Sequence, residues 1–145
     1  MAGELLLDTG ALVSLLDRSQ EHHKACATWF GDWKGAVVST EAVLTEATHL
    51  LSGVGGGREA CVEFFLAGGA TLVPSDEPSL RRCRELLAQY RDVPMDFADS
   101  TLVALAEELG ARKVFTLDAD FGIYRLPRRV RFELVPDVPR RRPRR

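Results

Sequence analysis

The sequence predicts an α/β fold, a three-layer α/β/α sandwich with a mainly parallel central sheet of four to five strands. Short apolar runs alternate along the chain with stretches of helical periodicity, and helical connections of about a dozen residues or more join parallel strands through right-handed crossovers. The chain has 145 residues, of which 46% are hydrophobic. It can bury one core and is too short for two ordinary domains, so we expect one domain over residues 1–136.

Apolar runs mark the strands in chain order. Three leucines stand before the turn sequence Asp8-Thr9-Gly10, and the apolar run Ala36-Val37-Val38 stands before Ser39. Such runs are typical of strands that are buried on both faces of a parallel sheet. The predicted strands span Leu5–Leu7, 36–38, 70–73 and 114–117, with a short final strand over 130–135.

Capping residues and glycines mark the helix ends. Ser39 or Thr40 can cap the third helix, and Asp96 can cap the last helix, which Gly110 would end. The glycine-rich run 53–57 follows a helix and lacks the lysine of a phosphate-binding loop, so we interpret it as a flexible connection. The predicted helices span 11–17, 21–33, 40–51, 59–67, 79–90 and Phe97–Leu109.

Charge is divided unevenly along the chain. Residues 1–123 contain 10 Lys and Arg against 19 Asp and Glu, whereas residues 124–145 contain nine arginines against two acids. An acidic body that binds a polyanion needs metal ions among its carboxylates, or a basic segment elsewhere. We expect residues 137–145 to form a disordered Pro/Arg-rich tail that does not pack against the edge carrying the acids and that adds electrostatic affinity for a polyanion.

Two absences in the sequence bear on the compartment. No stretch approaches the roughly 20 apolar residues of a membrane span, and the first residues lack the basic and apolar regions of a signal peptide. The three cysteines are odd in number and widely spaced, so we expect them to be reduced and buried. We therefore expect a cytoplasmic protein with no membrane association.

Four acidic residues fall where a ligand site is expected. Open parallel sheets bind ligands outside the carboxyl ends of their strands, and Asp8 and Asp118 follow two predicted strands. Asp99 lies on the apolar face of its helix, where a carboxylate is costly unless a cation or donor meets it. Glu46 borders the apolar stripe of the third predicted helix, near the same edge.

Each acid also has an ordinary structural explanation. Asp99 could serve only the N-terminus of its helix, Asp8 could be an N-cap, and Asp118 could be a turn former. Taken together, these explanations do not account for four acids at one sheet edge with no lysine or arginine nearby in sequence. A hard cation such as Mg²⁺ or Mn²⁺, which prefers oxygen ligands, accounts for all four.

Each acid stands in a short segment of distinctive sequence. The segments are Leu6-Leu7-Asp8-Thr9-Gly10-Ala11-Leu12, Val43-Leu44-Thr45-Glu46-Ala47, Met95-Asp96-Phe97-Ala98-Asp99-Ser100 and Thr116-Leu117-Asp118-Ala119-Asp120-Phe121. In this order they resemble the PIN-domain ribonucleases, particularly the VapC-type toxins of toxin–antitoxin pairs, over residues 5 to about 135. Ser100 and Ala119 depart from the residues common in that family, and neither change removes a carboxylate.

The resemblance implies a PIN-like fold and an endoribonuclease that hydrolyses RNA with Mg²⁺ or Mn²⁺. It also implies a homodimer that a partner antitoxin inhibits. We expect Asp8 and Asp99 to be direct metal ligands, and Glu46 and Asp118 to act directly or through metal-bound water. Asp96 and Asp120 are expected as supporting acids.

Other functions remain open at this point. A PIN-like module could bind RNA or protein without cutting, and PIN nucleases also serve in RNA processing outside toxin–antitoxin systems. A receiver-like phosphoacceptor also places acids at strand ends, but this chain lacks paired acids after its first strand and a lysine that ends a later strand. Metal-dependent RNA cleavage separates a nuclease from the other classes.

Overall fold

Five parallel strands form the central sheet of the protein, whose computed structural model describes residues 3–140. The strands are β1 (Leu5–Leu7), β2 (Val37–Thr40), β3 (Thr71–Val73), β4 (Lys113–Phe115), β5 (Arg125–Leu126), β6 (Val130–Arg131) and β7 (Glu133–Val135). The order in the central sheet is β3-β2-β1-β4-β7, and every neighbouring pair in it is parallel. Strands β5 and β6 form a separate two-stranded sheet.

Six helices connect and cover the strands, as predicted for the three-layer architecture. Their ends agree with the sequence prediction to within a few residues. The helices are α1 (Thr9–Leu16), α2 (His23–Asp32), α3 (Glu41–Leu50), α4 (Gly57–Leu66), α5 (Glu77–Gln89) and α6 (Phe97–Leu109). Thr40 caps α3 and Asp96 caps α6, each through a side-chain oxygen that accepts a backbone N–H bond. No helix within residues 3–140 is long and apolar enough to cross a membrane.

The final strand is shorter than the prediction of 130–135. Val130 and Arg131 pair instead with the antiparallel strand β5, and only Glu133–Val135 joins the central sheet beside β4. Phe132 stands between the two strands and is buried against Phe121. The chain changes from one strand to the other at this buried ring. The alternation of Val130, Phe132 and Leu134 in the sequence suggests one continuous strand and does not reveal the change.

Strand β1 lies at the centre of the sheet and determines where the first acid is placed. All three of its leucines are fully buried, because neighbouring strands flank it on both sides and helices cover both faces. Its carboxyl end therefore leads directly from the core into Asp8. The chain turns there into α1, and Asp8 is the N-cap residue of that helix.

The first part of the predicted tail packs against the body. The Arg140 guanidinium donates hydrogen bonds to the carbonyl oxygens of Thr116, Pro136 and Val138. Thr116 directly follows β4, so the expectation that the tail stays clear of the edge carrying the acids is wrong for Arg140. The rest of the predicted tail, residues 141–145, lies outside the described residues.

The connection between α3 and α4 contains one glycine that cannot be replaced without a clash. A Cβ atom on buried Gly57 would stand 2.6 Å from the Leu51 carbonyl oxygen and 3.1 Å from the Cβ atoms of Leu51 and Val54. At exposed Gly55, a Cβ atom would meet nothing within 4 Å. Close approach of the two helices thus depends on Gly57, and α3 is the helix that carries Glu46.

We predict that Gly57→Ala lowers the free energy of unfolding by about 1–3 kcal/mol, the usual cost of overpacking a buried site. Gly55→Ala is the matched control and should change stability by less than about 0.5 kcal/mol. Urea unfolding followed by circular dichroism measures both values. Equal stability of the two variants would show that the α3–α4 contact relaxes without cost.

Candidate active site

Asp8 occupies the carboxyl end of the central strand and is almost completely buried, with 6% of its surface exposed. One carboxylate oxygen accepts a 2.8 Å hydrogen bond from the Thr9 backbone N–H, and the other accepts a 2.6 Å bond from the Thr116 hydroxyl. Asp8 is thus the N-cap of α1, as its ordinary structural explanation proposed. Its second oxygen is held by a different element, which capping does not require.

The charge on Asp8 is costly in the absence of a cation. Burial raises the pKa of its carboxyl from 3.8 to about 6, and the nearby carboxylates of Asp118 and Asp96 also raise it. The hydrogen bonds from Thr116 and Thr9 oppose this rise because they favour the charged form. A positive ion beside Asp8 would stabilise the carboxylate in the same way and more strongly.

Glu46 is brought to the same place by α3. The Thr9 hydroxyl donates a 3.2 Å hydrogen bond to one of its carboxylate oxygens. Thr9 therefore contacts Asp8 through its backbone and Glu46 through its side chain. This single residue at the start of α1 fixes the relative position of two acids that are distant in sequence.

The N-terminus of α6 supplies two further acids with different roles. The Asp96 side chain accepts a 2.8 Å bond from the Asp99 backbone N–H and caps the helix. Asp99 has only 4% of its surface exposed, and its carboxylate accepts a 2.8 Å hydrogen bond from the Tyr124 hydroxyl. Capping is thus the role of Asp96, and it does not explain why a second carboxylate is buried one turn later.

Asp118 and Asp120 lie in the turn that follows β4. The Asp118 backbone N–H donates to the Thr116 hydroxyl oxygen at 3.0 Å, and the Asp118 carboxylate accepts a 2.9 Å bond from the Asp120 backbone N–H. The Thr116 hydroxyl therefore links Asp118 to Asp8. Asp120 lies in the first turn of a short 3₁₀ helix, Ala119–Gly122, and is fully buried.

Five of the six predicted acids line one cleft of about 140 Å³ at the carboxyl edge of the sheet. Asp120 is not among the residues that line it, although its backbone positions Asp118. Thr9, Gly10, Leu50 and Leu117 complete the lining. The acids in the cleft are Asp8, Glu46, Asp96, Asp99 and Asp118.

The side chains of the cleft offer a metal ion oxygen donors and an incomplete coordination shell. Within residues 3–140, no three His, Cys, Asp or Glu side chains are grouped closely enough to hold a metal ion by themselves. Mg²⁺ does not need such a cage, because it keeps several waters and is usually bound through one or two carboxylates. A buried carboxyl such as that of Asp8, whose pKa is raised by burial and by neighbouring acids, fits a hard cation of this kind.

Three residues of the site lie outside the candidate set taken from the sequence. Thr9 and Thr116 orient the acids through their hydroxyl groups, and Tyr124 orients Asp99. The two threonines flank predicted acids in the PIN-like segments, so their position was a usable signal. Tyr124 follows the last segment, and nothing in its local sequence distinguishes it from an ordinary core tyrosine.

Comparison with known proteins places this arrangement among related folds. The family model described as PIN domain matches residues 5–127. Ribonuclease VapC26 of Mycobacterium tuberculosis is 28% identical over 135 residues, which cover 91% of this chain and all of that protein.

Solved structures share the same fold. The sarcin–ricin loop cleaving toxin VapC20 of M. tuberculosis aligns with a TM-score of 0.72 at 19% identity, over 82% of this chain and 93% of that one. A toxin–antitoxin complex from Klebsiella pneumoniae aligns with a TM-score of 0.59 at 15% identity, over 79% of this chain and 87% of that one.

We predict that Asp8→Asn stabilises the metal-free protein, and increasingly so as the pH rises. The folded-state pKa of about 6 lies above the ordinary 3.8, so the folded protein binds more protons and wild-type stability falls as pH rises between these values. This difference in pKa corresponds to about 3 kcal/mol of unfolding free energy at neutral pH. Urea unfolding of wild type and Asp8→Asn in EDTA from pH 3 to 8 measures the free-energy difference between them.

Asparagine can keep both hydrogen bonds of Asp8, because its carbonyl oxygen accepts from Thr9 and its amide donates to the Thr116 hydroxyl. The control is Asp32→Asn, which removes an exposed carboxylate at the end of α2. A stability difference between Asp8→Asn and wild type that stays constant over this pH range would contradict the buried-charge account.

Proposed function

Because this chain belongs to the PIN domain family, we propose that it is a metal-dependent endoribonuclease and the toxin of a toxin–antitoxin pair. The observation that carries the proposal is the gathering of five acids from separate parts of the chain in one cleft at the carboxyl edge of the sheet. The similarity to ribonuclease VapC26 over nearly the whole chain supports RNA as the substrate.

We assign the metal-binding roles to the acids by burial and position. Asp8 and Asp99, the two most buried acids of the cleft, hold a Mg²⁺ or Mn²⁺ ion directly. Glu46 and Asp118 are less buried and act directly or through metal-bound water. When bound, the ion lowers the pKa of a water and offsets negative charge on the phosphodiester under attack.

The protein's own contribution is to hold the acids in position before substrate arrives. The Thr116 hydroxyl and the Thr9 backbone orient the two Asp8 oxygens. Tyr124 orients Asp99, and the Thr9 hydroxyl orients Glu46. Asp96 and Asp120 support the site indirectly, because Asp96 caps α6 and the Asp120 backbone orients Asp118.

The proposed partners follow from the same comparisons. A toxin–antitoxin complex shares the fold, which supports an antitoxin as the protein partner of this chain. We propose that the antitoxin inhibits cleavage, that the protein is a homodimer, and that it acts on RNA in the cytoplasm. A short adjacent reading frame that encodes a DNA-binding protein would identify the antitoxin.

We predict that the purified protein, free of antitoxin, cleaves single-stranded or loop RNA with Mg²⁺ or Mn²⁺ and that EDTA stops the reaction. Asp8→Asn and Asp99→Asn should each lower the cleavage rate by at least about 100-fold, because each replaces a charged carboxylate ligand with a neutral amide. Single-turnover cleavage of a broad RNA panel measures these rates.

Asp92→Asn, at an exposed position outside the cleft, is the control and should retain wild-type cleavage. Thermal melts should show all three variants folded. Folded wild-type protein that leaves every RNA intact with both metals would instead favour a binding module that does not cut.

We predict that the arginine tail strengthens RNA binding without taking part in the chemistry. Truncation after Arg140 removes four arginines and should flatten the slope of log affinity against log salt by up to about 3, at about 0.7 per phosphate contact on a single strand. Saturated single-turnover cleavage should not change. Fluorescence anisotropy at several salt concentrations measures the slope.

Truncation after Val138 tests Arg140 separately. This truncation also removes the guanidinium that contacts the Thr116 carbonyl, so it should additionally lower stability or the saturated cleavage rate. An unchanged salt slope after truncation at Arg140 would exclude an electrostatic role of the tail in RNA binding. Identical behaviour of the two truncations would show that the Arg140 contacts do not support the site.

A further inference from the structure

A second and larger cavity opens beside the acidic cleft. Its volume is about 620 Å³, within the range of about 300–1,000 Å³ that is typical of small-ligand sites. Glu46 and Asp96 line both this cavity and the acidic cleft, so the two adjoin. We call the larger cavity the side pocket. Glu41 and Phe97 also line it.

Phe97 gives the side pocket an aromatic wall. It is the first residue of α6 and follows the capping residue Asp96, so its backbone position is fixed by the helix start. The side chain nevertheless has 46% of its surface exposed, which is unusual for a large apolar residue beside a group of acids. An exposed aromatic face next to a polar cleft is a typical platform for a nucleic-acid base.

Glu41 gives the side pocket a hydrogen-bond acceptor. It is the first residue of α3, and its carboxylate makes no hydrogen bond or ion pair within residues 3–140. Glu41 is exposed to solvent, and it stands in the lining of the side pocket. Glu46 and Asp96 add further carboxylate to the same wall.

We propose that the side pocket binds one unstacked base of the RNA strand, next to the phosphodiester in the acidic cleft, with Phe97 as the stacking surface. Glu41 reads the edge of that base and determines sequence preference. This inference rests on the proposed function, because it assigns a second subsite to the same RNA strand. Bases in single-stranded RNA are available for recognition of this kind.

The charge of the side pocket selects a base over a phosphate. Three carboxylates, on Glu41, Glu46 and Asp96, repel a phosphate group and accept hydrogen bonds from N–H donors. Guanine presents two adjacent N–H donors on its Watson–Crick edge, a geometry that one carboxylate accepts through both oxygens. Uracil presents a single N–H between two acceptor oxygens, so guanine is the preferred base.

Binding can be measured without cleavage by titrating the uncharged nucleosides guanosine and uridine in EDTA and observing Phe97 ring protons by NMR. Guanosine should shift the ring signals upfield and bind at least about 5-fold more tightly than uridine. Phe97→Leu should weaken guanosine binding about 10-fold, whereas Phe97→Trp should retain it. Leu109→Ala, at an exposed apolar residue at the other end of α6, is the control.

Cleavage of RNAs that differ by one base near the cut tests specificity. Phe97→Leu should raise KM about 10-fold on preferred RNA with a smaller effect on kcat, because stacking binds ground and transition states alike. Glu41→Gln should reduce the preference for guanine, since an amide cannot accept both N–H bonds. Glu59→Gln, which also removes an acid from the first turn of a helix, should leave it unchanged.

Three results would overturn the inference. The first is guanosine binding that leaves the Phe97 ring signals unmoved. The second is that both Phe97→Leu and Glu41→Gln keep the wild-type KM and the wild-type base preference. The third is a change of oligomeric mass in Phe97→Leu, which would make the side pocket a protein interface. Failure of the proposed function is distinguishable, since wild-type protein would then cleave no RNA while the NMR titration still reports on the pocket.

Discussion

Burial of carboxylates at the carboxyl edge of an open parallel sheet is the constraint on which the rest of this structure depends. Asp8 and Asp99 are almost fully removed from water, and neighbouring acids raise the pKa of Asp8 further. A protein keeps such an arrangement only at a cost in stability. The arrangement is intelligible as a binding site in which a cation supplies the charge that the side chains lack.

The fold meets this constraint with short-range hydrogen bonds from the elements that form the edge. Thr116 directly follows β4, the strand beside β1, and contacts both Asp8 and Asp118, while Thr9 contacts both Asp8 and Glu46. Each threonine thus joins acids from two parts of the chain. Arg140 adds a contact from the opposite end of the sequence by binding the Thr116 carbonyl, so the C-terminal segment supports the edge that carries the acids.

Much of the fold was predictable because its signals are local. Apolar runs gave the four strands of the first 117 residues, and caps such as Thr40 and Asp96 gave helix starts that the structure confirms. The gathering of acids followed from one topological rule, that parallel strands end at the same edge. The break at Phe132 and the contacts of Tyr124 and Arg140 were not predictable, because each depends on a partner that is distant in sequence.

Occupation of the acidic cleft by a divalent metal ion is the property on which the proposed chemistry depends. A crystal of the protein soaked in Mn²⁺ tests it through anomalous scattering at the manganese edge. We predict a peak inside the cleft in contact with the carboxylates of Asp8 and Asp99, and its loss in Asp99→Asn. Strong peaks only outside the cleft, or none at saturating Mn²⁺, would contradict metal binding at this site.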